Sequence, residues 1–132
     1  EGIYLCGVSG YRSYERQEEL YQKKRREQPK EIGDHVHWIA PPGASEHQTG
    51  LALDVSCQAV DYQLDERFGE TREGRWLKRC APLYGFILRY PKGKEHITGY
   101  GWEPWHIRYV TRSLALYLTL TGLTLEEYYE QK

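Results

Sequence analysis

The sequence predicts a single mixed α+β domain, with a small central antiparallel sheet flanked by helices. Three observations predict it. The first is size: 132 residues with 39% apolar side chains suffice for one hydrophobic core. The second is period: Trp76, Leu77, Cys80, Leu83 and Tyr84 recur at helical spacing within 71–84. The third is a set of short apolar runs, 51–56, 86–90 and 105–110, that read as strands.

The elements follow in order. Residues 2–9, with Ile3, Tyr4, Leu5 and Val8, read as a short strand entering Gly10. Ser13 suits the N-cap of a helix through about residue 27, with Leu20 and Tyr21 on its apolar side. Residues 29–44 carry Pro29, Gly33, Pro41, Pro42 and Gly43 and read as loop. After the buried strand 51–56 comes the helix 71–84, which Gly85 would cap. Strands 86–90 and 105–110 follow, and Thr111 would cap a helix through about residue 121. Thr124, Leu125, Glu126 and Glu127 form a capping-box pattern for a last short helix. No repeat, low-complexity tract or linker interrupts the chain, so 1–132 reads as one domain.

Bulk charge narrows the function. A net charge of −1 gives no field that would draw nucleic acid or anionic lipid. The basic run Lys23, Lys24, Arg25 and Arg26 lies among Glu18, Glu19 and Glu27, and reads as a solvated helix face. No apolar run approaches the roughly 18 residues needed to span a membrane. No signal peptide is visible, and a chain that begins at Glu1 without any Met reads as a processed or trimmed domain. The three cysteines, Cys6, Cys57 and Cys80, form no CxxC pair, which disfavours a structural zinc knuckle. Cys57–Cys80 is the disulfide expected of an exported protein; buried free thiols are the alternative.

The chemistry is concentrated in two places. His47 and Asp54 lie seven apart, with Gly50 between them to let the backbone fold back. On a strand over 51–56, Asp54 would share a face with Ala52 and Ser56, inside an otherwise apolar run where an unpaired carboxylate is costly. His106 is a third candidate ligand, and Glu103 precedes it by three residues across Pro104. Two imidazoles, one carboxylate and a second carboxylate nearby are the inventory of a catalytic zinc site. Trp102 and Trp105 would make the surroundings of Glu103 apolar and raise its pKa, which suits a base that takes and returns a proton. Blander readings stand beside these: a strand Asp54 bonded to backbone or to arginine, a core His106, a surface Glu103. His35 and His37 are a rival metal pair without an accompanying base, and Trp38, Trp102 and Trp105 are cleft or core residues.

The spacing of Ser45, His47 and Asp54, followed by Glu103 and His106, resembles the zinc D-alanyl-D-alanine carboxypeptidases, and more narrowly their VanY-like branch. The stretch from Ser9 through Arg12 to Gln17 resembles the same branch, as does the run from Gly101 through Trp105 to Val110, so the likeness covers about 8–110. It implies one zinc ion held on the central sheet by His47, Asp54 and His106, with Glu103 as general base. It implies Arg12 as a substrate-binding and oxyanion-steadying residue, and Gln17, Ser45 and Tyr100 as lining of the substrate pocket. The alternatives are a salt bridge for Arg12, a capping role for Ser45, solvent for Gln17 and packing for Tyr100. The implied substrate is a peptidoglycan stem peptide losing its C-terminal D-alanine, outside the cytoplasm, with the enzyme acting as a monomer. A D,D-dipeptidase, an endopeptidase of the same zinc layout and a catalytically silent wall-binding module are the competing functions.

Overall fold

The structure, a computed structural model, describes residues 2–27, 40–41 and 43–131. Four antiparallel strands form one sheet in the order β1 (Cys6–Ser9), β2 (Ala52–Ser56), β4 (His106–Tyr109), β3 (Phe86–Leu88). Five helices surround it: α1 (Tyr14–Glu27), α2 (Arg72–Cys80), α3 (Glu95–Thr98), α4 (Arg112–Thr121) and α5 (Leu125–Glu130). This is the α+β arrangement that the pattern of short strands and capped helices predicts.

Period-two alternation along β2 and β4 separates two faces. Leu53, Val55 and Ile107 face the main core, where they meet Phe68, Leu77 and Trp105. Asp54, His106 and Arg108 fall on the other face by the same alternation. At the β3 edge, Ile87 packs with Ala115 and Leu118 of α4 and Leu125 of α5, a second cluster that fixes both C-terminal helices to the sheet.

Several boundaries differ from those predicted. The first strand keeps only Cys6–Ser9 of 2–9, because only that stretch pairs with β2. The helix expected over 71–84 is α2 followed by a separate 3-10 turn, Ala81–Tyr84. Pro82 accounts for the break: it has no N–H to donate back to the helix, although Ala81 before it keeps α-region angles. Gly85 closes that turn at φ 91°, as its position suggested. Thr111 does not cap α4: its φ is 84° and its hydroxyl makes no capping bond. The capping box at Thr124 is present in both directions, between Thr124 and Glu127. Ser13 accepts from Arg16 N at 3.1 Å and so starts α1, but the buried residue of that helix is polar, Gln17, while Leu20 and Tyr21 are half-buried. Cys57 and Cys80 are free thiols, as is Cys6; Cys57 instead lies 3.8 Å from the Thr71 hydroxyl. Of the loop 29–44, residues 29–39 and 42, including His35, His37 and Trp38, lie outside the described residues.

Candidate metal centre and active site

The antiparallel register of β2 and β4 places Asp54 directly opposite His106. Neighbours across a sheet on one face lie about 5 Å apart, so the two side chains must meet. His47 arrives from the 3-10 turn Glu46–Thr49 just before β2. Ser45 caps that turn by accepting from His47 N at 3.2 Å, and Gly50 ends it at φ 76°, a left-handed conformation that redirects the chain into β2. His47, Asp54 and His106 are all buried, and one ligand atom from each lies within 4.8 Å of the others.

The two imidazoles are pre-oriented. His47 Nδ1 lies 2.7 Å from Gly10 O, and a carbonyl only accepts, so Nδ1 carries the proton. Its other ring nitrogen, Nε2, faces Asp54 Oδ2 at 3.1 Å. His106 Nε2 donates to Glu46 Oε1 at 3.1 Å, while Nδ1 faces Asp54 Oδ1 at 2.8 Å. Burial opposes the charged imidazolium, but bonds to Asp54 and Glu46 outweigh it and push His106 up to about 9. Burial alone would raise Asp54, yet His106 and His47 hold it at about 2. Without metal the site is thus a carboxylate bridging two rings. A cation would replace the proton on His106 Nδ1 and take the three converging donors, two N and one O, a set that suits zinc.

Glu103 sits beside this cluster, with Oε2 3.9 Å from His106 Nδ1. Burial is the main cause that pushes its carboxyl up to about 8. Arg12 reaches in from the loop before α1, donating from Nε to Ser9 Oγ, from Nη1 to Gln17 Oε1 and from Nη2 to Asp54 Oδ2 at 3.1 Å. Gln17 also donates to Ala40 O at 2.6 Å, so both ends of its amide are engaged by protein. Tyr100 stacks on Tyr90 at 4.6 Å, and Tyr90 in turn stacks on His106 at 5.0 Å. All eight residues singled out in the sequence, Arg12, Gln17, Ser45, His47, Asp54, Tyr100, Glu103 and His106, line one cavity of about 410 Å³. Trp105 lines the same cavity and also belongs to the core, which joins its two sequence readings.

Three residues at the centre carried no role in the sequence. Glu46 binds His106, Arg89 and Arg108; Tyr90 covers the face of His106; Gly10 orients His47 through its carbonyl. Glu46 is adjacent to His47, but its partners come from 43 to 62 residues away, so no local pattern announces it. Arg108 supports His106 only through Glu46, and Tyr109 packs against Phe86 at the far end of β4.

The family model described as VanY, D-alanyl-D-alanine carboxypeptidase, matches residues 1–112, and the chain belongs to that family. Among its relatives, the YodJ protein of Bacillus subtilis (strain 168) is 47% identical over 135 residues, covering 99% of this chain and 47% of its own length. The LdcB LD-carboxypeptidase structure superposes with a TM-score of 0.88 at 46% identity, covering 98% of this chain and 59% of its own. A glutamate-to-alanine mutant of the vancomycin-resistance D,D-pentapeptidase VanY, solved in complex with Zn(II), superposes at 0.81 with 38% identity, covering 97% of this chain and 72% of its own. The chain spans about half the length of YodJ and somewhat more of the two solved chains.

Proposed function

We propose that this domain is a zinc-dependent carboxypeptidase that removes the C-terminal D-alanine of peptidoglycan stem peptides. The observation that carries the reading is the buried convergence of His47 Nε2, Asp54 and His106 Nδ1, with a carboxyl of raised pKa, Glu103, beside it in a cavity. The VanY pentapeptidase, which binds Zn(II), supports zinc as the ion. Bound there, zinc would supply Lewis-acid chemistry: a more acidic water and a polarised scissile carbonyl.

The chain's own residues divide the remaining work. Glu103, once ionised beside the cation, takes a proton from the attacking water and returns it to the leaving amine. Arg12 lies next to Asp54, so its guanidinium stands close to where negative charge grows on the carbonyl oxygen, which favours an oxyanion role over capture of the terminal carboxylate. Gln17 holds the Arg12 fork in place and Ser45 holds His47, so both shape the pocket through their neighbours. The Tyr90–Tyr100 stack forms a wall of the cavity against which a substrate side chain can pack. Intact Glu103 disfavours a silent binding module. Among the described residues no helix is long and apolar enough to cross a membrane. The proposed setting is extracytoplasmic, where stem peptides lie, and the proposed active form is a monomer.

Metal content and turnover together test the assignment. Glu103→Ala is expected to abolish alanine release while one zinc per chain remains bound; His106→Ala is expected to lose both. Near-native turnover by Glu103→Ala would show that another group serves as base.

A further inference from the structure

We infer that the C-terminal helix α5 is part of the metal centre: Glu126 anchors Arg89, Arg89 anchors Glu46, and Glu46 fixes the ring of His106. The inference rests on the metal reading proposed above. Helix α5 lies beyond residues 1–112, the part matched by the family model, yet it reaches the site through a continuous chain of charged contacts.

Glu126 receives the Arg89 guanidinium as a fork, Nη1 to Oε1 at 2.6 Å and Nη2 to Oε2 at 2.8 Å. The third nitrogen of that group, Nε, donates to Glu46 Oε2 at 2.7 Å. Arg108 Nη1 reaches the same oxygen at 2.6 Å. The other Glu46 oxygen accepts Nε2–H of His106. Arg89 and Glu46 side chains are each only 11% exposed, so water screens these contacts weakly. A bidentate arginine–carboxylate pair fixes direction as well as distance. Glu126 therefore sets the plane of the Arg89 guanidinium, and that plane sets where the Glu46 carboxylate stands. An imidazole rotates about its own bond unless its second nitrogen is held, and outer partners of this kind tune metal affinity. Glu46 and Glu126 are thus positioning residues, acting on the site through His106.

Zinc affinity of the metal-stripped protein, measured by competition with a chromophoric chelator, tests this without using turnover. Glu46→Gln is expected to weaken zinc roughly 10-fold, the lower end of what outer partners of metal ligands contribute, and Glu126→Gln roughly 3-fold, less because it acts through two intermediaries. The double variant should bind like Glu46→Gln alone, because Glu126 acts through Glu46. Lys94→Met is the control: it removes the 3.0 Å Lys94–Glu127 pair, loosening the same helix without touching Arg89. It should bind zinc like the native protein. Native affinity in Glu126→Gln, an equal loss in Lys94→Met, or a further loss in the double variant would each overturn the inference. If His106→Ala bound zinc as tightly as the native protein, the metal reading itself would fall. A His106-dependent site unaffected by Glu126→Gln would remove this inference alone.

Discussion

Glu103 is the residue whose chemistry the fold alters most. Burial leads the causes that lift its carboxyl from 4.5 to about 8 in the metal-free protein. Below about pH 4.5 the group is protonated folded and unfolded, and it adds no pH dependence. As pH rises from there to about 8, the unfolded chain releases its proton first and binds fewer protons than the folded one, so stability falls. In chelated protein, Glu103→Gln should therefore gain on the native chain by roughly 1 kcal/mol for each pH unit in that window. Denaturant midpoints at about pH 5 and about pH 8 measure it; an identical advantage at both would contradict the buried, raised carboxyl. Much of this site was legible in the sequence, because His47, Asp54, Glu103 and His106 keep fixed spacings within two short segments. Glu46, Tyr90 and Gly10 were not, since each acquires its role from a partner on a distant element.

The elements that hold these residues depend on close approach. The 3-10 segment Glu66–Glu70 inserts Phe68, fully buried, into the core and lays Gly69 against Trp102 and Pro104, the residues on either side of Glu103. A methyl group at Gly69 would overlap the Trp102 ring and crowd Pro104 Cβ at 3.0 Å. Gly69→Ala is expected to cost about 1–3 kcal/mol by overpacking and to lower turnover per bound metal by moving Glu103. A native melting temperature and native turnover would show that Trp102 yields freely. Local signals served well where the physics is local: the Ser13 start of α1, the Gly85 turn and the Thr124–Glu127 box are all present. They misled where one residue overrides a periodic pattern, as Pro82 does after Cys80, and where backbone angle decides, as at Thr111. Helix α3 is a single turn, too short to show any period.

At the scale of the whole molecule, metal and stability are linked. The proposed metal ligands come from the turn before β2, from β2 and from β4, so an ion that binds only the folded chain would tie these segments together. Zinc at 100 times its dissociation constant should add about 2.7 kcal/mol. Thermal unfolding with and without chelator should show a midpoint several degrees higher with zinc, and His106→Ala should abolish the difference. An unchanged native midpoint would argue against a site built from these ligands. The cysteines contribute no covalent staple in this fold, and the expectation of a Cys57–Cys80 bridge gives way to two clusters of apolar packing. Cysteine count alone carried no geometry, whereas the alternation of β2 and β4 carried both the core face and the site face. The most direct test of the proposed activity is a mass-spectrometric digest of tetrapeptide and pentapeptide stems by the zinc-loaded protein. The expected result is loss of one alanine, abolished by chelation: pentapeptide stopping at tetrapeptide marks D,D-specificity, and tetrapeptide falling to tripeptide marks L,D-specificity. Both stems unchanged, with zinc bound at one per chain, would contradict a carboxypeptidase.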